Sequence, residues 1–353
     1  MGNKKKNYVS AKKVKSIQAD YILLLGERAN GKSYCVKNIL ITECYKRDIE
    51  FIYLRRYDLD VKDSVAVNYF ADVPVYEITA GEYSCIDVFR KGIYFANVDE
   101  ETGRTVRGKK IGHCHALSGA EHYKSLSFPK VEFIVYEEFI SVDGHYLYQE
   151  AESKLQHYVS TIFRHRKGKV YLVGNTISRI CPYMREWGIE RGLRTQKQGE
   201  IKIYKIGETT IAVYLTDSLN YNSGMFFGHV ANNITKGDYE TLVLPHLPKP
   251  KYKYKTLYQF ILQWDSFKFL CELLQDCEKA NNVTWYVQPK TSEIQKKTRV
   301  ISNMYNIDPY YATSFKGLTP NEKQVIELLM NDQVCYSDNL TGTEFINILK
   351  NFK

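Results

Sequence analysis

The sequence has no apolar run close to the roughly 18 residues that a helix needs to cross a bilayer. Its opening stretch, MGNKKKNYVSAKKVK, lacks the apolar segment of a signal peptide, which points to the cytoplasm. Lys6 stands where Ser or Thr is wanted, which argues against a myristoylation signal. The 8 cysteines have no paired spacing, so they read as reduced thiols rather than as a disulfide framework. An Asn-Lys-x-Asp element is missing, which argues against a guanine-reading switch. His113-Cys114-His115 has no second pair at ligand spacing and reads as strand residues, not as a metal centre. Acid is the scarcer charge, 40 residues against 49 Lys and Arg, for a net +9. Such an excess permits a polyanionic partner without demanding one.

What is present suits a globular α/β chain. Its 353 residues, 44% hydrophobic and 25% charged, are enough for two or three domains with cores of their own. The 29 tyrosines supply packing surface first and base-stacking surface second. Tyr21–Leu24 reads as a short buried strand, followed from Gly26 to Ser33 by G-x-x-x-x-G-K-S. In such a loop the glycines let backbone N–H groups surround phosphate oxygens, the lysine reaches the outer phosphates, and the serine hydroxyl ligates Mg²⁺. The nucleotide-binding set is therefore Gly26, Glu27, Arg28, Ala29, Asn30, Gly31, Lys32, Ser33 and Tyr34, with a helix expected over Ser33–Arg47. EFIYLR at 50–55, KVEFIVY at 130–136 and KVYLVG at 169–174 read as further buried strands, with a hairpin about Thr102-Gly103 and a helix over Glu150–Phe163. Strands alternating with helices imply a mainly parallel sheet.

The second chemical signal is Glu137-Glu138, directly after the strand VEFIVY. A P-loop triphosphatase needs one carboxylate on the metal side and one to polarise the attacking water, both at a strand's carboxyl end. Glu137 takes the metal-side place and Glu138 the catalytic one. Asn175, just past the strand at 169–174, is either a turn asparagine or an amide that touches the attacking water or terminal phosphate. Arg164 and Arg166 in FRHRKGK end a helix, where a cation favours the dipole's negative end; an arginine reaching into a neighbouring subunit's site is the other reading.

Beyond residue 200 the texture changes. EIKIYKIGETTIAVYL holds two β-like runs about Gly207-Glu208, and the polar stretch after it suits a connecting subdomain over 201–250. LPHLPKPKYKYK, with three prolines, four lysines and no acid, reads as a linker. A hairpin through Asp265-Ser266 and a strand at 283–288 follow, with capping boxes expected at Thr319–Glu322 and Thr341–Glu344. A two-metal nuclease would need several converging carboxylates, whereas the strand at 258–264 offers Gln259 and Gln263 with Asp265 alone at its turn.

GERANGKSY at 26–34, EFIYLRRYD at 50–58, VEFIVYEEF at 131–139, STIFRHR at 160–166 and GNTISRICPY at 174–183 together resemble the genome-packaging ATPases of small tailed phages, the DNA encapsidation proteins of the phi29-like group. The resemblance covers about the first two hundred residues. It implies a P-loop (ASCE-type) NTPase over 1–200, a connecting segment over 201–250, and an RNase H-like docking domain over 251–353 that lacks nuclease acids. It also implies a homopentameric ring at the portal vertex of an empty prohead in the host cytoplasm, pumping double-stranded DNA with ATP and Mg²⁺, in some relatives with a structural RNA. On the resemblance, Arg164 becomes a finger acting in trans, Arg28 matches the arginine inside the loop of packaging ATPases, and Glu137 departs from the usual Asp. The alternative is another P-loop nucleic-acid translocase or helicase; a small-molecule kinase, turning over without DNA, is the third class.

Overall fold

Tyr21–Gly26 is buried along nearly its whole length because it is hydrogen-bonded to a parallel strand on each side and covered on both faces. The computed structural model describes residues 8–99, 101–141, 146–175, 181–217, 244–264, 267–295, 297–313 and 334–349, with scattered positions between 317 and 329. The chain divides into two units, one holding the described residues up to 217 and the other those from 244 onward.

The first unit contains β1 (Tyr21–Gly26), β2 (Glu50–Arg55), β3 (Cys85–Phe89), β4 (Gly92–Val98), β5 (Thr105–Ala116), β6 (Val131–Glu137), β7 (Lys169–Asn175), β8 (Ile201–Ile206) and β9 (Thr209–Leu215). Among the described residues these form one sheet in the order β3-β4-β5-β2-β6-β7-β1-β9-β8. The strands from β5 to β9 in that order are parallel, and β3, β4 and β8 extend the edges antiparallel. Its helices include α1 (Ala11–Ser16), α2 (Lys32–Arg47), α3 (Asp63–Phe70), α4 (Val75–Ile78) and α5 (Leu155–Phe163).

Alternation along the strands divides the core into two layers. Ile22 and Leu24 face the layer that holds Val36 and Leu40 of α2, while Leu23 and Leu25 face Leu155 and Ile162 of α5. Register then sets the chemistry. Gly26 pairs with Asn175 and Glu137 with Val173, so the carboxyl ends of β1, β7 and β6 reach one sheet edge, with β7 between the loop strand and the acid strand.

Several expectations shift. The helix expected over Glu150–Phe163 opens with a π turn at Glu150–Lys154. The β-like runs after residue 200, assigned above to a connecting segment, are β8 and β9 of this sheet. β9 pairs along β1, and the Thr216 N–H donates to the Leu25 carbonyl at 2.8 Å, so the first unit extends past the boundary at 200. The polar stretch after residue 217 and the Asp265-Ser266 turn lie outside the described residues.

The second unit is a mixed sheet in which Tyr254–Trp264, Phe267–Asp276 and Val283–Pro289 form an antiparallel meander. Val300–Ser302 and then Tyr311–Ala312 extend it parallel to the first of these, and Val334–Tyr336 runs parallel to the third. The box at Thr319–Glu322 is formed, with the Thr319 N–H donating to Glu322 Oε2 at 2.8 Å and the Glu322 N–H to Thr319 Oγ1 at 3.3 Å. At the last helix, Asn339–Leu349, the cap is instead Asp338, whose Oδ1 accepts from the Thr341 N–H at 2.8 Å. Thr341 thus lies in the first turn, one turn later than a cap.

Candidate functional site

The loop between β1 and α2 is shaped by close approaches. A β-carbon on Gly26 would fall 1.9 Å from Thr216 Oγ1 and 2.8 Å from Asn30 Nδ2, so only glycine fits. Thr216 Oγ1 donates to the Leu25 carbonyl at 2.9 Å and accepts from Asn30 Nδ2 at 2.6 Å, tying the loop to the end of β9. Gly31 caps α2 at φ +86° with no side-chain cap hydrogen bond, and first-turn N–H groups at such a terminus are the kind that can face an anion.

Lys32, Ser33, Glu137, Glu138 and Asn175 come together here. Buried Lys32 sends its Nζ to within 3.1 Å of the Gly26 carbonyl and of Asn30 Oδ1, and 3.3 Å of Asn175 Oδ1; it also donates to the Glu27 carbonyl. Burial pulls its ammonium down to about 8, with Glu137 as the main opposing charge. Ser33 Oγ donates to Glu137 Oε2 at 3.0 Å, and Tyr69 of α3 donates to Oε1 at 2.6 Å. Burial raises the Glu137 carboxyl above its ordinary range, against the pull of those two hydroxyls. Glu138 has left-handed backbone, φ 54°, and a side chain 63% exposed that pairs with Arg55 Nη2 at 2.6 Å. Glu137, Glu138, Asn175 and Arg28–Tyr34 line an open pocket of about 940 Å³, to which Tyr8 also contributes. Glu27 is buried, and its carbonyl accepts from Lys32 Nζ.

Arg164 is not brought to this edge. It ends α5 beside the start of β7, a strand of seven residues whose far end carries Asn175, which separates the two by about 20 Å along the strand. Its Nη2 donates to the Leu126 carbonyl at 3.0 Å on the surface. Arg166 is engaged differently: its guanidinium donates to the carbonyls of Phe128, Pro129, Val131 and Ile162 at 2.7–2.9 Å. Arg166→Ala is therefore expected to lower stability by roughly 1.5–3 kcal/mol, the scale of hydrogen bonds to a charged group. Denaturant unfolding checks this, with Arg164→Ala as the near-neutral comparison.

The residues that sequence reasoning missed here are Tyr69, Thr216 and the pairing role of Arg55. No motif flags the first two, whereas Arg55-Arg56 at a strand's carboxyl end is a visible cue. The His113-Cys114-His115 residues lie on β5, with His113 Nε2 at 2.9 Å from Glu50 and His115 Nδ1 at 2.6 Å from the Tyr158 hydroxyl. Burial lowers the His115 imidazole to about 3.

Residues 3–241 match the model of a family described as Podovirus DNA encapsidation protein (Gp16). The DNA packaging protein of Bacillus phage B103 is 31% identical over 169 residues, 47% of either chain. That of Bacillus phage phi29 is 32% identical over 174 residues, 48% of this chain and 47% of the relative. The aligned part thus spans about half the length of these relatives. A chain of the phi29 viral genome packaging motor assembly superposes with a TM-score of 0.62 over 98% of this chain and 99% of that one; at 19% identity the likeness speaks for the fold alone.

Proposed function

The chain belongs to the Podovirus DNA encapsidation protein family, and from that premise we propose that it is an ATP-hydrolysing motor that drives double-stranded viral DNA through the portal of a preformed prohead. The observation that carries the reading is the meeting on one sheet edge of Ser33 Oγ and Glu137 Oε2 at 3.0 Å, with Lys32 Nζ set between Asn30 and Asn175. Together with the sheet order, in which β7 separates the loop strand from the acid strand, this supports a P-loop (ASCE-type) nucleoside-triphosphatase.

Mg²⁺ fits the donor set, since a hydroxyl and one carboxylate at hydrogen-bonding distance are the sparse oxygen ligands this ion accepts beside phosphate and water. When bound, it would be held by Ser33 and Glu137 and would neutralise charge on the phosphates. The chain's own residues do the rest. First-turn amides of α2 and the Lys32 ammonium hold the phosphates, and Tyr69 keeps the Glu137 carboxylate turned toward Ser33. Glu138, once released by Arg55, orients the attacking water, Asn175 hydrogen-bonds the water or terminal phosphate, and Arg164 completes the site of an adjacent copy in a ring, a pentamer on the family resemblance. The mixed sheet of the second unit supports an RNase H-like docking domain for portal, prohead or a structural RNA. There the buried Glu272 is taken up by Lys251 at 2.8 Å, Gln288 at 2.8 Å and Thr256 at 3.2 Å.

Lys32 gives a pH signature. Phosphate favours the protonated lysine, whereas the free protein loses that proton above about pH 8, so binding must take up a proton there. Nucleotide affinity is expected to be level below pH 8 and to fall by up to about tenfold per pH unit above it. Calorimetry in buffers of different ionisation enthalpy reads the proton uptake directly. The functional reading itself is tested by ATP turnover with and without proheads and DNA: stimulation by both is expected, and turnover indifferent to both would point to a kinase or switch.

A further inference from the structure

Glu150 lies outside the pocket, and no step above uses it. Its side chain is wholly buried, and it accepts from Arg56 Nε at 3.1 and 2.9 Å on its two oxygens. The hydroxyls of Tyr136 and Tyr183 donate to it at 2.6 and 2.8 Å, and the Leu147 N–H at 2.8 Å. The chain bends to put it there: Gln149 is left-handed at φ 49°, and Glu150 itself starts the π turn. Such turns tend to occur where function requires them.

Arg56 faces two ways. While Nε engages Glu150, Nη2 donates to the Phe139 carbonyl at 2.6 Å and Nη1 lies 3.4 Å from the Glu138 carbonyl. The carbonyls it holds are those of the two residues that follow the acid strand, the first of which, Glu138, has left-handed backbone at φ 54°. An L side chain keeps that conformation only where its surroundings impose it. Stability alone gives a buried ion pair little reason to exist, because an apolar filling of the same volume usually serves as well.

We infer that Glu150 is a positioning residue for hydrolysis: through Arg56 it clamps the Glu138–Phe139 peptide in the left-handed conformation from which the Glu138 carboxylate is aimed at the attacking water. The inference rests on the reading of Glu138 as the water-orienting acid. Glu150→Gln keeps the side chain's shape and loosens the clamp, so it acts on geometry at the reacting centre, where a shift of about 1 Å costs on the order of 10²-fold.

The experiment is a double-mutant cycle on the full chain with Glu150→Gln and Glu138→Gln, reading kcat, KM and the Kd of a fluorescent ATP analogue. Glu150→Gln is expected to lose kcat on the order of 10²-fold with Kd and KM within about twofold of wild type. Added to Glu138→Gln, it should cost nothing further. If Glu138→Gln is inactive while Glu150→Gln turns over normally, or loses binding and turnover in proportion, the positioning role is overturned and the reading of Glu138 stands. If Glu138→Gln turns over normally, the underlying reading fails instead. Should Glu150→Gln fail to fold, Tyr183→Phe removes one donor from the same carboxylate; a selective loss of kcat supports the clamp, and wild-type kcat overturns it.

Discussion

Arg164→Ala subunits are expected to bind nucleotide as the wild type does and to hydrolyse it about 10³ to 10⁵ times more slowly, the contribution of an arginine supplied in trans to a P-loop enzyme. The geometry favours a trans role over a cis one. Arg164 lies at the opposite end of β7 from Asn175, about 20 Å away along the strand, yet it is exposed and, among the described residues, held by one carbonyl contact, to Leu126. A cation that only complements the end of α5 would contribute about 0.3–1 kcal/mol of stability and leave turnover unchanged. The two accounts differ by orders of magnitude in rate. Mixing decides between them, because an Arg164→Ala subunit keeps an intact pocket and a Glu138→Gln subunit keeps an intact arginine. Activity should reappear in co-assembled rings where the second lends its arginine to the first. A silent mixture with verified co-assembly, or near-normal turnover by Arg164→Ala alone, removes the finger. Arg166 is a poor substitute, since four backbone carbonyls already occupy its guanidinium.

Glu138→Gln should bind ATP with wild-type affinity and stall before hydrolysis, with turnover reduced by several orders of magnitude. The amide preserves the shape of the side chain but cannot draw a proton from the attacking water. Glu137→Gln should behave differently. Its carboxylate is buried between Ser33 and Tyr69, so the change weakens the metal side and should raise the Mg²⁺ concentration needed for turnover. A Mg²⁺ titration of both variants separates the roles. Normal hydrolysis by Glu138→Gln with complete loss in Glu137→Gln would show that the two acids have exchanged places.

Most of the proposed phosphate side of this site rests on signals that are local in the sequence. A buried strand, a glycine loop and a helix follow one another within Tyr21–Arg47, and the acid pair ends an apolar run. What stayed hidden depends on pairing over distance. Tyr69 reaches Glu137 from a helix with no motif, and Arg56 meets Glu150 across 94 positions. Thr216 closes on the loop across 186 positions, through a strand that alternation alone could not assign to either unit. The boundary at residue 200 was misplaced for the same reason: a β-like run carries its period but not the identity of its neighbour. Arg164 is the converse case: it is legible as a residue, but it stands at the end of β7 away from the pocket, so the role proposed for it needs an adjacent copy.

We propose that turnover at the β1–α2 loop moves DNA into the prohead. Its most direct test supplies proheads, linear double-stranded DNA and ATP to the wild-type chain and to Lys32→Ala, and measures nuclease-protected DNA together with phosphate release. ATP-dependent protection by the wild type is expected, with both protection and phosphate release lost in Lys32→Ala chains that still assemble on the prohead. Protection that persists in Lys32→Ala, or phosphate release by the wild type with no DNA protected, would contradict it.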